Sequence, residues 1–251
     1  MIKAGRHGAE LWYNPPQPEM RTILLGLIYI ILIFVLLFAL LIFWPFGLRE
    51  PLLRLGKWAM SLAPGILGIE IHVFGREMID RKAKYIFMSN HLSFLDGPLL
   101  FLLIPQSVRV ILKKQVFRIP VVGQGMRFVG FVPVDRKRAR GGKKSIGQAA
   151  SLMREKAYSY LIFPEGTRTR DGRPQPFRRG GFFLALESGA AIAPITISGT
   201  YELMPRGAMF AKRGAIDVLF HPPVPTAGYN QNTMQALVDK VRDTIVSGLP
   251  A

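Results

Sequence analysis

At 251 residues the chain is long enough for one catalytic-size domain and a small appendage, and its 49% hydrophobic content and positive mean hydropathy are high for a soluble protein. The balance of 33 Lys and Arg against 16 Asp and Glu gives a net charge of +17, a surface that seeks anions such as nucleic acid, acidic headgroups or phosphorylated substrates. With no cysteine, disulfides, thiolate metal sites and a cysteine nucleophile are excluded; His7, His72, His91 and His221 show no metal-ligand spacing, so no metal is expected.

Residues 1–22 are polar and carry Asn14-Pro15-Pro16-Gln17-Pro18, the composition of a loose arm. No charge appears from Ile23 to Leu48, a run of 26 residues, against the ~20 that a bilayer-spanning helix needs. The run is too long for a secretory signal and ends in Trp44-Pro45-Phe46. Residues 49–63 mix Leu52, Leu53, Leu55, Trp58 and Met60 with Arg49, Arg54 and Lys57, the pattern of an interfacial helix. Basic residues flank the apolar run on both sides, so charge asymmetry does not orient it. A single span and a helix pair that enters one leaflet and returns both fit, with Pro45-Phe46-Gly47 as the turn of the pair. The division expected is an arm at 1–22, a membrane-associated two-helix segment at 23–64 and a catalytic domain at 65–251.

From about Gly68 the chain turns globular. Strands are predicted at Ile69–Phe74, Lys84–Met88, Val108–Leu112, within Met126–Val134, and at Tyr158–Phe163, Ala193–Ser198 and Ala215–Phe220. Helices are predicted at Gly97–Leu103, Gly142–Lys156, Gly181–Ser188 and Thr233–Ser247, with a short one inside Lys113–Gly125. Strands alternating with helices predict an α/β domain with a mixed, largely parallel central sheet.

The chemistry-bearing residues fall at strand ends. Ser89-Asn90-His91-Leu92-Ser93-Phe94-Leu95-Asp96-Gly97-Pro98 follows the second strand. An imidazole beside a carboxylate is a general-base pair: the carboxylate fixes the tautomer, and the far nitrogen is free to take a proton. Gly97-Pro98 predict a helix start near Asp96, whose positive end suits a negative charge. Gly130-Phe131-Val132-Pro133-Val134-Asp135-Arg136, Phe163-Pro164-Glu165-Gly166-Thr167-Arg168 and Ala193-Pro194-Ile195 end three other strands. Ligands of open α/β sheets bind beyond the carboxyl ends of the strands, and guanidinium groups there suit a phosphate. Singly, each stretch has a plain structural alternative: a loop histidine, a capping aspartate, a solvated arginine in a basic run, a polar turn. There is no Gly-x-Ser-x-Gly, which disfavours a serine hydrolase.

Taken in order, His91-x4-Asp96, Gly130-Phe131-x3-Asp135-Arg136, Phe163-Pro164-Glu165-Gly166-Thr167-Arg168 and Ala193-Pro194-Ile195 resemble the four-block pattern of the glycerolipid acyltransferases, over roughly residues 65–225. Within that family the similarity is greatest to the bacterial enzymes that acylate 1-acylglycerol 3-phosphate. Phe177-Arg178-Arg179-Gly180 is similar to the family's Phe-Lys-x-Gly, and residues 23–64 to its N-terminal two-helix membrane motif. The resemblance implies a mixed α/β fold, with His91 as general base and Asp96 as its orienter. Arg136 and Arg168 would hold the acceptor phosphate, and Glu165, Gly166 and Thr167 would shape the acceptor site. Lys114 matches a lysine associated with the oxyanion or the donor, although Gln115 stands where the family usually has an acid.

The implied activity is transfer of a fatty acyl group from acyl carrier protein or coenzyme A to the sn-2 hydroxyl of lysophosphatidic acid, giving phosphatidic acid. It needs no resident cofactor, because the acyl thioester is a cosubstrate. Membrane lipids would be partners, with the catalytic domain on the cytoplasmic face of the inner membrane. Between Asp96 and Glu155 there are 12 Lys or Arg and one acid, Asp135, a face suited to anionic lipid or an acidic carrier. Lyso-ornithine lipid and glycerol 3-phosphate stay open as acceptors, as does a non-catalytic membrane-binding protein of the same fold. The basic run 136–144 lacks interleaved aromatics and a recognisable module, so nucleic acid is not an expected partner.

Overall fold

A computed structural model of the protein describes residues 17–120, 122–134 and 139–250, with the side chains of 139–143 outside that description. Two helices come first. The first, α1 (Pro18–Phe43), starts five residues before the apolar run, because Pro18 occupies a first-turn position where its missing N–H costs nothing. Of the arm expected at 1–22, residues 18–22 are helical, and residues 1–16 lie outside the described residues. The helix stops before Pro45, and α2 (Arg49–Leu67) follows, running through Pro64 to a left-handed Gly68 (φ 69°). Of the described helices only α1 is long and apolar enough to cross a membrane. Its apolar side chains are mostly exposed, from Ile23 to Ile42. The helix α2 is amphipathic and packs along α1.

Seven strands follow: β1 (Ile69–Phe74), β2 (Tyr85–Ser89), β3 (Val108–Lys113), β4 (Val132–Val134), β5 (Ser159–Ile162), β6 (Ala191–Ser198) and β7 (Gly214–Phe220). They form one sheet in the order β1-β7-β6-β2-β5-β3-β4. Every pairing is parallel except β6–β7. The predicted mixed, largely parallel sheet is thus observed. The central strand β2 is buried at every position, which its continuous apolar run requires when both faces are covered.

The remaining helices are α3 (Asp96–Leu103), α4 (Val122–Phe128), α5 (Ala139–Lys156), α6 (Gly180–Ser188), the single turn α7 (Thr200–Leu203) and α8 (Met234–Ser247). One apolar core joins α1, α2 and α3 to the sheet; a second joins α5, α6 and α8 to its other face. The strand expected across Met126–Val134 is shorter than expected. The helix α4 runs to Phe128 and closes on Gly130 (φ 94°), with Phe131 N–H donating to Met126 O at 2.9 Å and Gly130 N–H to Arg127 O at 3.1 Å. That pair of bonds is a glycine-dependent helix stop, so only Val132–Val134 reach the sheet.

The helix pair is tied to the domain by charge as well as apolar contact. Arg109 on β3 is fully buried, lies 3.8 Å from the Tyr158 ring centroid, and bonds Glu50 of α2 at 2.5 Å. Lys57 of α2 donates to the carbonyls of Ile104 and Gln106 at 3.1 and 3.2 Å. These contacts add polar ties to the apolar packing of α2 on the domain through Leu52, Leu53 and Leu67, while α1 presents apolar side chains outward.

Candidate active site

Because β2, β5 and β6 lie side by side and run the same way, the segments leaving their carboxyl ends meet above the sheet. The segment after β2 carries His91 and Asp96, the one after β5 carries Glu165, and the one after β6 carries Thr200.

His91 and Asp96 meet as the sequence predicts, with Nδ1 and Oδ2 2.9 Å apart. The same Oδ2 accepts the backbone N–H groups of Leu92 and Ser93, each at 2.7 Å. The other carboxylate oxygen, Oδ1, accepts the Thr200 hydroxyl at 2.6 Å. An oxygen that accepts two backbone donors is acceptor-only towards the ring, so Nδ1 carries the proton and Nε2 keeps its lone pair. The Asp96 side chain is fully buried, whereas that of His91 is 19% exposed, so the ring is the part of the pair that a substrate can reach. The His91 ring stacks on Phe163, with centroids 4.0 Å apart and planes at 17°.

The backbone under the ring is fixed from three sides. The His91 N–H donates to Glu165 Oε1 at 2.8 Å, and the His91 carbonyl accepts the Thr169 N–H at 2.9 Å. Next door, the buried Asn90 side chain pairs with both backbone groups of Ile197 on β6, at 2.8 and 2.9 Å. Ser93 is also fully buried and gives its hydroxyl to Met204 O at 2.6 Å. Its oxygen is a structural tie, in keeping with the absence of a serine-hydrolase pattern.

Glu165 is more internal than an acceptor-shaping residue needs to be. Its Oε2 accepts the Gln175 N–H at 3.0 Å, so its two oxygens join the His91 loop to the loop before α6. Burial, with a smaller addition from the Asp96 charge, pushes the Glu165 carboxyl up to about 7 against the pull of those two N–H donors. Gly166 has φ 75°, and a Cβ there would stand 3.0 Å from the Arg178 side chain, so the turn admits only glycine comfortably. Thr167 is half-buried on the same turn.

The basic residues are less fixed. Arg168 lies on the dyad side, its guanidinium 6.0 Å from the Phe94 ring centroid. Among the described residues no carboxylate pairs with it. Lys114 is exposed just after β3, at the same edge of the sheet as the dyad and two strands from β2. Arg136 lies outside the described residues. Sequence reasoning missed Asn90, Thr200, Phe163 as a stacking platform, and Gln175. Asn90 and Phe163 stand beside singled-out residues, but the partners of Asn90 and Thr200 lie more than 100 residues away in sequence.

Fold and site together define an α/β protein with a His–Asp pair beyond the carboxyl ends of a largely parallel sheet, preceded by one long apolar helix and one amphipathic helix. The acyltransferase family profile matches residues 70–198, more than half of the chain, and the chain belongs to that family. A 1-acyl-sn-glycerol-3-phosphate acyltransferase of Limnanthes douglasii is 32% identical over 86% of this chain and 76% of its own length. One from Borreliella burgdorferi is 32% identical over 73% of each chain. The crystal structure of the 1-acyl-sn-glycerophosphate (LPA) acyltransferase PlsC from Thermotoga maritima shares the fold, with a TM-score of 0.74, covering 92% of this chain and 96% of its own, at 24% identity.

Proposed function

We propose that the protein transfers a fatty acyl group from an acyl thioester to the sn-2 hydroxyl of 1-acylglycerol 3-phosphate, yielding phosphatidic acid for phospholipid synthesis. The observation that carries this reading is the 2.9 Å bond from His91 Nδ1 to a buried Asp96, with Nε2 left as a base at the accessible edge of the sheet. The names of the curated relatives support the acceptor.

In this reaction His91 Nε2 takes the proton of the acceptor hydroxyl as that oxygen attacks the thioester carbonyl carbon. Asp96 stabilises the imidazolium across the Nδ1 bond. The tetrahedral intermediate then expels the thiolate of acyl carrier protein or coenzyme A, which leaves as the thiol with the proton from His91. A thioester carbonyl is electrophilic enough to react without an enzyme nucleophile, consistent with the committed hydroxyl of Ser93. Arg168, with Arg136, binds the acceptor phosphate; no described carboxylate pairs with Arg168, so its guanidinium is available for that task. Gly166 and Thr167 shape the acceptor site, Glu165 acts there by holding the His91 backbone, and Lys114 contacts the donor.

We further propose that residues 18–67 sit in one leaflet, with the domain facing the cytoplasm, where the thioester donors are. At 1.5 Å per residue α1 is about 39 Å long, and both of its ends touch the same domain. Thr22 Oγ1 near its start accepts the Ala211 N–H at 3.2 Å, and Trp44 at its end stacks on Phe128 of α4 with centroids 5.2 Å apart. A transmembrane span would carry one end to the far side of a ~30 Å hydrocarbon layer.

The test is to incubate purified full-length protein in detergent with acyl-CoA or acyl carrier protein thioester and a panel of lyso-lipids, following products by mass. Phosphatidic acid should be the dominant product. Acylation of lyso-ornithine lipid or glycerol 3-phosphate in its place would replace the acceptor, and no acylation of any acceptor would sink the reading.

A further inference from the structure

We propose that the loop Pro205–Arg213, which joins α7 to β7, is a second membrane contact that inserts Met209 and Phe210 into an anionic phospholipid surface. The inference rests on the one-leaflet placement of α1 and is independent of acyl transfer.

The loop has a built shape. Ala208 N–H closes a turn onto Pro205 O at 3.0 Å, and Gly207 takes φ 96°. Its base is pinned by Lys212 N–H to Leu203 O at 2.9 Å and by Ala211, which is 2% exposed. The tip, by contrast, turns apolar groups outward: Met209 is 76% exposed and Phe210 37%. Arg206, Lys212 and Arg213 stand exposed around it, and no acid occurs from Met204 to Arg213. An apolar tip inside a cationic rim fits a surface with an apolar layer beneath anionic headgroups.

Its position agrees with its chemistry. The same Ala211 that pins the base of the loop bonds Thr22, so the loop leaves the domain beside the first two turns of α1. At the other end of α1, Trp44, Phe46 and Leu48 are 50%, 74% and 41% exposed, with Arg49 and Arg54 just beyond. The two apolar tips therefore bracket a helix whose own outward face is apolar, and all three parts can meet one lipid surface. The loop also leaves α7 directly after Met204, whose carbonyl holds Ser93, and five residues after Thr200, which holds Asp96. Its depth thus sets the height of the dyad above the headgroups.

The chain contains no cysteine, so single labels can be placed without background. Met209→Cys in the full chain, spin-labelled and reconstituted in phosphatidylcholine–phosphatidylglycerol vesicles, is compared with Phe46→Cys and the remote, exposed Gln231→Cys. The 209 label should resemble the 46 label: a several-fold loss of collisions with a water-soluble nickel chelate and a gain with oxygen. Adding Arg206→Glu and Lys212→Glu, or using phosphatidylcholine alone, should return the 209 label toward water while the 46 label stays immersed. A 209 label as open to nickel as that at 231 would overturn the proposal. So would protection that grows with protein-to-lipid ratio, which means a second copy, or that needs an added acidic carrier protein. A 46 label in water would instead overturn the placement of α1.

Discussion

The His91–Asp96 loop and the helix α1 are built on opposite terms. In the loop, the side chains of Asn90, His91, Ser93 and Asp96 all have hydrogen-bond partners within the protein, and the backbone of His91 is held at both N–H and carbonyl. In α1, Arg21 bonds the Leu67 carbonyl at the end of α2 and Thr22 accepts the Ala211 N–H of the domain, both near the start of the helix, while Ile31, Phe34, Phe38 and Leu41 are 64–72% exposed. The loop is complete without lipid; the helix packs on the protein through Leu25, Ala39 and Leu40 and leaves its outward apolar face uncovered by the described residues. Chemistry and access are therefore separable, and substitutions in the loop should act on turnover with soluble and bilayer acceptors alike.

The largest effect is expected at the base. His91→Ala should lower kcat by roughly 10²–10⁴, the range for a lost general base, with the fold unchanged by circular dichroism. Asp96→Asn keeps an acceptor for the ring and should lower kcat substantially but less, because a neutral amide does not stabilise the imidazolium. Near-normal turnover of His91→Ala on a short-chain soluble acceptor would remove the catalytic assignment.

Arg168→Ala tests the half of the site where, among the described residues, no carboxylate holds the cation. Losing a charge partner for a bound phosphate should raise KM by about 2–4 kcal/mol in apparent binding. A phosphate-free acceptor should lose little. An equal loss with both acceptors would make Arg168 structural, placing it with the loop in the comparison.

Glu165 ties the loop at a cost that depends on pH. Its carboxyl titrates near 7 when folded against an ordinary 4.5, so the folded state favours the protonated form. The stabilisation linked to that proton is complete below pH 4.5, declines as pH rises and is gone above about 7, a change of about 3 kcal/mol for 2.5 units. The thermal midpoint of the wild type should accordingly fall from pH 5 to pH 8 relative to Glu165→Gln, which has no proton to lose. A midpoint difference that is flat, or that grows in the other direction, would show Glu165 to be ionised in the folded state throughout.

Legibility in the sequence followed the range of the interactions. His91 and Asp96 are five residues apart, and the local string carried both the pair and the helix start at Asp96. Most strands were legible because each is a short apolar run ended by a turn. The expected strand overruns Val132 on its N-terminal side because Phe128 and Val129 are apolar in either state, and the helix stop depends on the φ of Gly130. The apolar run of α1 was evident from composition, but the return of both its ends to one domain depends on Ala211 and Phe128, far along the chain. Asn90 is illegible locally for the same reason: its amide is explained by the edge of Ile197, 107 residues later.

Thr200 gives the finest test of the comparison, since it is the loop's most distant support. It is fully buried at the start of α7, and its hydroxyl donates to Asp96 Oδ1, the one carboxylate oxygen that the local backbone does not reach. Without it, Oδ1 is buried with no donor, and only the bonds at Oδ2 orient the carboxylate towards His91. Thr200→Val keeps the branched shape and removes the donor, at a cost of about 1–3 kcal/mol for an unsatisfied buried acceptor. Because Thr200 touches Asp96 and not the acceptor, that cost should appear as a roughly tenfold lower kcat, equivalent to ~1.4 kcal/mol, with KM little changed. The pH–rate profile should also shift, since the Asp96–His91 pair sets the basicity of Nε2. Thr200→Ser restores the hydroxyl without the methyl and should recover most of the activity and the original profile. If Ser rescues no better than Val, the role of Thr200 is the packing of its methyl at the turn, and Asp96 is held by its backbone donors alone.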